Sequence, residues 1–187
     1  MTTSTCDEPA AAVAAAGRAC DVAASADQQD VPWLTPDQLR AWVGLISVAE
    51  LLPARLDSQL QRDADLTHFD YQVLAMLSEA PERTLRMTGL AQRTSATLPR
   101  LSHVVKRLEV RGLVERLPCP GDARATNAHL TDLGWDTLVR TAPGHVRTAR
   151  ELVIDVLTDE QVAQLEAITS ALLTRLDPED RLLRRNR

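Results

Sequence analysis

Apolar residues recur at helical spacing through most of the chain beyond residue 35. Leu39, Trp42, Val43, Ile46, Leu51 and Leu52 fall on one broad side of a first helix. Its start is marked by Thr35-Pro36-Asp37-Gln38: Thr35 caps, Pro36 takes the first helical position and Gln38 closes a capping box. Pro53, inside the pattern, predicts a kink. Phe69, Val73, Leu74 and Leu77 form the stripe of a second helix, with Thr67 as cap and Asp70 at the capping-box position. Ala80-Pro81 ends it, and residues 84–86 predict a short strand.

Residues 88–93 then predict a short helix and 94–96 a turn. Thr97 caps the next helix, with Pro99 in its first turn. Leu98, Leu101, Val105 and Leu108 make one face of that helix; Arg100, His103 and Arg107 share another, flanked by Thr97 and Lys106. Gly112 suits the left-handed residue after it. A strand over 113–117, a turn-rich tip over 118–125 and a return strand over 126–130 make a hairpin. Thr131 caps a long helix running towards Val156, interrupted or kinked near Pro143-Gly144. Thr158 and Gln161 form a further capping box, after which Val162, Leu165, Ile168, Leu172 and Leu176 continue helically to Asp177-Pro178.

Composition agrees with a mainly α fold carrying one small β-hairpin. Hydrophobic residues make up 44% and aromatic residues 3%, a balance that favours helices over strands. Residues 1–31 are Ala-rich with scattered polar residues, and predict an arm that is disordered or weakly helical. No apolar run reaches the roughly 18 residues of a membrane span. The amino terminus has Asp7 and Glu8 and no basic segment, which argues against a secretory signal. A cytoplasmic protein with reduced thiols is expected, since Cys6, Cys20 and Cys119 show neither metal spacing nor a disulfide framework. There is no Gly-rich phosphate loop, metal cluster or nucleophile motif, and His68, His103, His129 and His145 are scattered. We therefore expect no catalytic residues, no metal and no cofactor.

Charge is unevenly placed. Residues 83–124 hold nine Lys or Arg and three acids, whereas the remainder holds twelve basic and twenty-three acidic residues. A basic face concentrated on a helix and hairpin, in an otherwise acidic chain, is the footprint of a nucleic-acid binder. An α-helix fits the major groove of B-DNA, and the second helix of a helix-turn-helix presents its amino-terminal residues to base edges. Thr97, Pro99, Arg100 and His103 lie there, and Arg100 can read guanine bidentately. Lys106 and Arg107, further along, suit phosphate. Arg124 at the hairpin tip is long enough to enter a minor groove. Asp122 has the wrong sign for DNA and is expected to orient an arginine or brace the turn.

These residues resemble a family. The LAQRT helix, the KRLEVRGLVER run leaving the recognition helix, and Asp122-x-Arg124 followed by Leu130-Thr131 are similar to the MarR (multiple antibiotic resistance) winged-helix regulators over roughly residues 35–177. The resemblance implies a winged helix-turn-helix domain over 67–131 and a helical dimerisation region from 32–66 and 132–187. It implies a homodimer on a palindromic operator in double-stranded DNA, most simply a repressor. It also implies that Arg124 reaches the minor groove with Asp122 as its acidic partner. Ala123 departs from the arginine many relatives carry there. A small, often aromatic or phenolic, effector would bind near Trp42, His68 and Tyr71, with His145 orienting it or capping a broken helix.

Apolar surface on the first and last two helices also exceeds what one winged helix can cover. Leu39, Trp42, Ile46, Val153, Ile154, Leu165, Ile168, Leu172 and Leu176 are candidates for a shared interface. Alternatives of the same fold stay open: a redox-responsive or constitutive regulator, or a winged helix that binds protein. Cys119, with Arg116 nearby in sequence, is the thiol a redox mechanism would use, although its plainer role is a small turn residue.

Overall fold

The computed structural model describes residues 31–119 and 122–179, and of residues 123 and 124 the backbone only. The arm predicted over 1–31, Cys6 and Cys20 among it, lies outside the described residues except for Val31. Contacts divide the chain into two units, one ending at Leu45 and the other beginning at Ile46.

Helix α1, Pro36–Ala64, starts as its capping signal requires. Gln38 N–H donates to Thr35 Oγ1 at 3.3 Å, and Thr35 N–H donates to Gln38 Oε1 at 2.9 Å. The helix passes through Pro53 unbroken.

In the second unit, α2 (His68–Ser78) opens on the Thr67–Asp70 capping box and buries Val73, Leu74 and Leu77. A tight turn over Pro81–Arg83 leads into strand β1, Thr84–Arg86. Helix α3, Met87–Arg93, is followed by the expected turn, with Ser95 at φ 49°. Helix α4, Leu98–Val110, is capped by Thr97, whose hydroxyl accepts from Arg100 N–H at 3.4 Å. Gly112, at φ 71°, lets the chain leave α4 in the left-handed conformation that most side chains disfavour.

Strands β2 (Val114–Cys119) and β3 (Asp122–Leu130) form an antiparallel hairpin, and β1 pairs with the free edge of β3 to give the order β1-β3-β2. Both hairpin strands run further than the sequence suggests. Pro118 pairs with Thr126, but Cys119 pairs with Asp122, so three residues of β3 leave the ladder as a bulge.

Helix α5, Asp132–Ala149, is capped by Thr131 and contains Pro143 without breaking there. The interruption comes later, as a π-helical segment over Arg150–Ile154. Gly144 explains part of this difference. It sits where α5 meets α1, and a β-carbon there would lie 2.7 Å from an Asp63 carboxylate oxygen. The Pro143-Gly144 pair that reads as a break in sequence is a packing notch in space. Helix α6, Asp159–Leu176, opens on the Thr158–Gln161 capping box and contributes no buried residue.

One core joins α2, α3, α4, the sheet and the near ends of α1 and α5: Leu60, Leu66, Leu74, Leu77, Leu90, Leu101, Leu108 and Leu130 are fully buried. Helix α4 buries Leu101, Val104, Val105 and Leu108. Leu98, predicted on the same face, is 46% exposed, because the first turn of α4 projects beyond the core into a cleft shared with Arg86, Arg116 and Thr126.

The start of α5 lies directly on the backbone at Leu113, just before β2. A β-carbon on Gly134 would sit 2.1 Å from the Leu113 carbonyl oxygen and 2.6 Å from a Leu130 methyl. Gly134→Ala is expected to cost about 1–3 kcal/mol by overpacking. Gly89→Ala, in α3 with open space around it, is expected to be neutral or to stabilise by up to about 1 kcal/mol. Thermal unfolding of the two variants checks the contrast.

Candidate DNA interface

Helix α4 is divided between two surfaces. Its apolar face is core, and Thr97, Pro99, Arg100, His103, Lys106 and Arg107 are all exposed. The turn that holds α3 against α4 is itself secured. Thr94 Oγ1 donates to the Leu90 carbonyl at 2.8 Å, and Ala96 N–H donates to the Ala91 carbonyl at 2.9 Å. The helix carrying the six residues is therefore fixed relative to the core at its amino-terminal end, where base-reading residues of a helix-turn-helix lie.

Partners sort the basic residues into classes that sequence does not separate. Arg107 Nη2 lies 2.5 Å from Asp70 Oδ1, and the Asp70 side chain is only 2% exposed. The other Asp70 oxygen accepts from Thr67 N–H at 2.9 Å. Arg100 stacks over the Phe69 ring, with its guanidinium carbon 4.4 Å from the centroid. Arg111 donates to the Ala64 and Asp65 carbonyls at the end of α1. Arg116 donates to the Ser102 carbonyl at 2.8 Å and faces Glu109. Arg83 pairs with Asp132 at 3.1 Å and lies over Trp135. Arg93, Arg100 and Lys106 have no acidic partner among the described residues. Much of the basic excess thus braces the domain as well as charging its surface. Phe69, and the ion-pair role of Asp70, were missed from sequence, where Phe69 reads as core and Asp70 as capping alone.

At the wing, Asp122 Oδ2 accepts from Arg86 Nη2 at 3.0 Å, tying β1 to the hairpin tip. The same guanidinium reaches Cys119 Sγ at 3.5 Å. The arginine beside this thiol is therefore Arg86, while Arg116, its neighbour in sequence, turns to α4. Arg124 lies in β3, within the bulge, and its side chain lies outside the described atoms.

A second cluster occupies the opposite side of the start of α2. The His68 and His145 rings stack with centroids 6.1 Å apart, and Tyr71 lies 4.3 Å from His145. Asp57 of α1 accepts from His68 N–H at 2.9 Å. The buried Nδ1 atoms of both imidazoles find no hydrogen-bond partner among the described residues. His145 neither caps a broken helix nor stands apart: it joins His68 and Tyr71. Trp42 belongs to the unit ending at Leu45 and is 53% exposed.

A family model described as MarR family matches residues 64–125. Among solved structures, a MarR family transcriptional regulator from Streptomyces coelicolor, in complex with DNA, is 45% identical with a TM-score of 0.77, over 81% of this chain and 95% of that one. AbsC, a MarR family regulator from the same organism, is 36% identical with a TM-score of 0.73, over 78% and 98%. A mutant of MarR from E. coli, complexed with operator DNA, is 25% identical with a TM-score of 0.65, over 75% and 99%. A search of curated proteins finds no significant match.

The chain belongs to the MarR family. It is a transcriptional regulator and not an enzyme, and its wing and recognition helix are those of the MarR winged-helix fold. The histidine cluster in this MarR protein is accordingly a feature to be read for binding and stability, not for catalysis.

Burial lowers the His68 pKa from its ordinary 6.5, although Asp57 partly raises it. Burial also lowers that of His145, and the neighbouring His68 lowers it further. Burial raises Tyr71 above its ordinary 10.0. Well above the ordinary 6.5 both imidazoles are neutral whether the chain is folded or not. As pH falls below 6.5, the unfolded chain takes up protons that the folded one resists, so stability drops until the folded imidazoles also titrate. Urea unfolding between pH 7.5 and 5 is expected to show this loss in the wild type. A His68→Gln/His145→Gln variant should show a shallower loss; identical slopes would contradict the assignment.

Proposed function

We propose that the protein is a homodimeric repressor that grips a palindromic operator with two winged helices and is released by a small effector. The observation that carries this reading is the exposed face of α4, with Arg100 and Lys106 without an acidic partner among the described residues and presented on a helix anchored at its amino-terminal end. The DNA-bound relative supports the same use of the fold. Thr97, Pro99, Arg100 and His103 would meet base edges in the major groove, and Lys106 would hold phosphate. Arg124 would reach the minor groove from the wing, whose base Asp122 and Arg86 secure.

Exposed apolar residues support the dimer. Leu165, Ile168, Leu172 and Leu176 of α6 are exposed, Ile168 at 58%, and so are Trp42 and Ile154. A helix whose apolar residues are not buried among the described residues is suited to a partner, and in a symmetric pair the same patch serves both subunits. The two recognition helices would then enter successive major grooves about 10 bp apart. Effector binding is assigned to His68 and Tyr71; the effector must prefer the free state to cause release. Such a repressor works beside DNA in the cytoplasm. No described helix is long and apolar enough to cross a membrane.

Salt separates this reading from a winged helix that binds protein. Affinity for a duplex selected by the protein from a randomised pool is expected to fall by orders of magnitude between about 50 and 200 mM salt; a flat response sinks it. Arg124→Ala is expected to weaken binding most at A·T-rich flanks, where the minor groove is narrow. Equal losses on all flanks in a binding titration would remove the wing from base-step discrimination. Ile168→Glu, at an exposed position, is expected to leave the monomer folded by circular dichroism, yet abolish both the dimer in light scattering and tight DNA binding.

A further inference from the structure

We propose that Phe69 and Asp70, neither of them on the recognition helix, are positioning residues for DNA reading, and that Arg107 is a strut between Asp70 and α4. The inference rests on the proposed reading of DNA by α4. Phe69 and Asp70 are consecutive in the first turn of α2. Arg100 and Arg107 are seven residues apart on α4 and so share one face, two turns apart. One turn of α2 thus holds two turns of α4, and with them the rotation of the recognition helix about its own axis.

The two contacts work differently. Arg100 lies over the Phe69 ring at 4.4 Å. Stacking occupies the face of a guanidinium and leaves its edge, where the five N–H donors point, free for a base. A stacked arginine therefore arrives with its long side chain already ordered, and loses less freedom on binding. Asp70 is buried, and its two oxygens are divided between Thr67 N–H at 2.9 Å and Arg107 Nη2 at 2.5 Å. Its carboxylate offsets the Arg107 charge, so Arg107 has less to offer a phosphate than its neighbour Lys106, which is exposed and has no acidic partner among the described residues. This alters the sequence expectation that Lys106 and Arg107 act alike. The same turn of α2 carries His68 and Tyr71 on its other side.

The test uses the full chain and a duplex selected by the wild-type protein from a randomised pool, with a random-sequence duplex beside it. Affinities are measured across a salt series. Lys106→Gln should lower the slope of log affinity against log salt by about one unit. Arg107→Gln should lower affinity for the selected duplex several-fold with the slope unchanged, and Asp70→Asn should do the same, the double variant being no worse than either. Phe69→Leu should lose about two- to fivefold on the selected duplex only, while Phe69→Tyr keeps wild-type affinity. Because Asp70 is buried, Arg107→Gln, at a half-exposed side chain, decides the matter if Asp70→Asn does not fold. A slope lowered by about one in Arg107→Gln would make Arg107 a phosphate contact and overturn the strut. Unchanged affinity in Phe69→Leu, where Arg100→Ala loses binding, would overturn the platform. Unchanged affinity in Arg100→Ala would sink the proposed reading of DNA, and this inference with it.

Discussion

A carboxylate removed from water must find partners, because leaving it unpaired costs several kcal/mol. Asp70 is that group here. Its two oxygens meet the backbone at the start of α2 and the guanidinium of Arg107 on α4. Removing the Arg107 guanidinium would strip this buried carboxylate of its cationic partner, so the first turn of α2 and the last turn of α4 are held together. The capping box of α2 and the proposed setting of α4's exposed face both pass through this carboxylate.

The same economy runs through the basic stretch. An acidic chain with a local excess of arginine invites a purely electrostatic reading, yet Arg83, Arg86, Arg107, Arg111 and Arg116 each meet a named protein partner. Apart from the pair with buried Asp70, exposed contacts of this sort contribute little stability individually. Their effect is geometric: they fix the strand edge, the wing base and the two ends of the recognition helix. That leaves Arg100 and Lys106, on a helix whose orientation is set from behind, as α4 cations without an acidic partner among the described residues. On the proposed reading, the acidic remainder of the chain would repel DNA and favour docking by this face.

Local signals were legible in the sequence. Thr35, Thr67, Thr97 and Thr158 all cap the helices they were expected to cap, and Gly112 takes the left-handed position. These features depend on residues three or four apart. What was not legible depends on distant pairs. Arg107 looks like a phosphate ligand until Asp70, thirty-seven residues earlier, is placed beside it. Gly144 looks like a helix break until Asp63 is brought against it. The wing strands run past their expected ends because Pro118 pairs with Thr126 and, across a bulge, Cys119 pairs with Asp122, contacts that alternation along one strand does not show. Of the residues expected to bind an effector, the structure brings His68 and Tyr71 together and adds His145, which sequence left without a definite place.

The central claim is that α4, in two copies, reads the major groove. Dimethyl sulfate footprinting tests it most directly, because the reagent reports access to guanine N7 on that groove. On a duplex selected from a randomised pool, the account predicts two protected clusters about 10 bp apart on one face, each losing a protected guanine with Arg100→Ala. Guanines that stay fully reactive in the bound complex, or protection unchanged by Arg100→Ala, would contradict it.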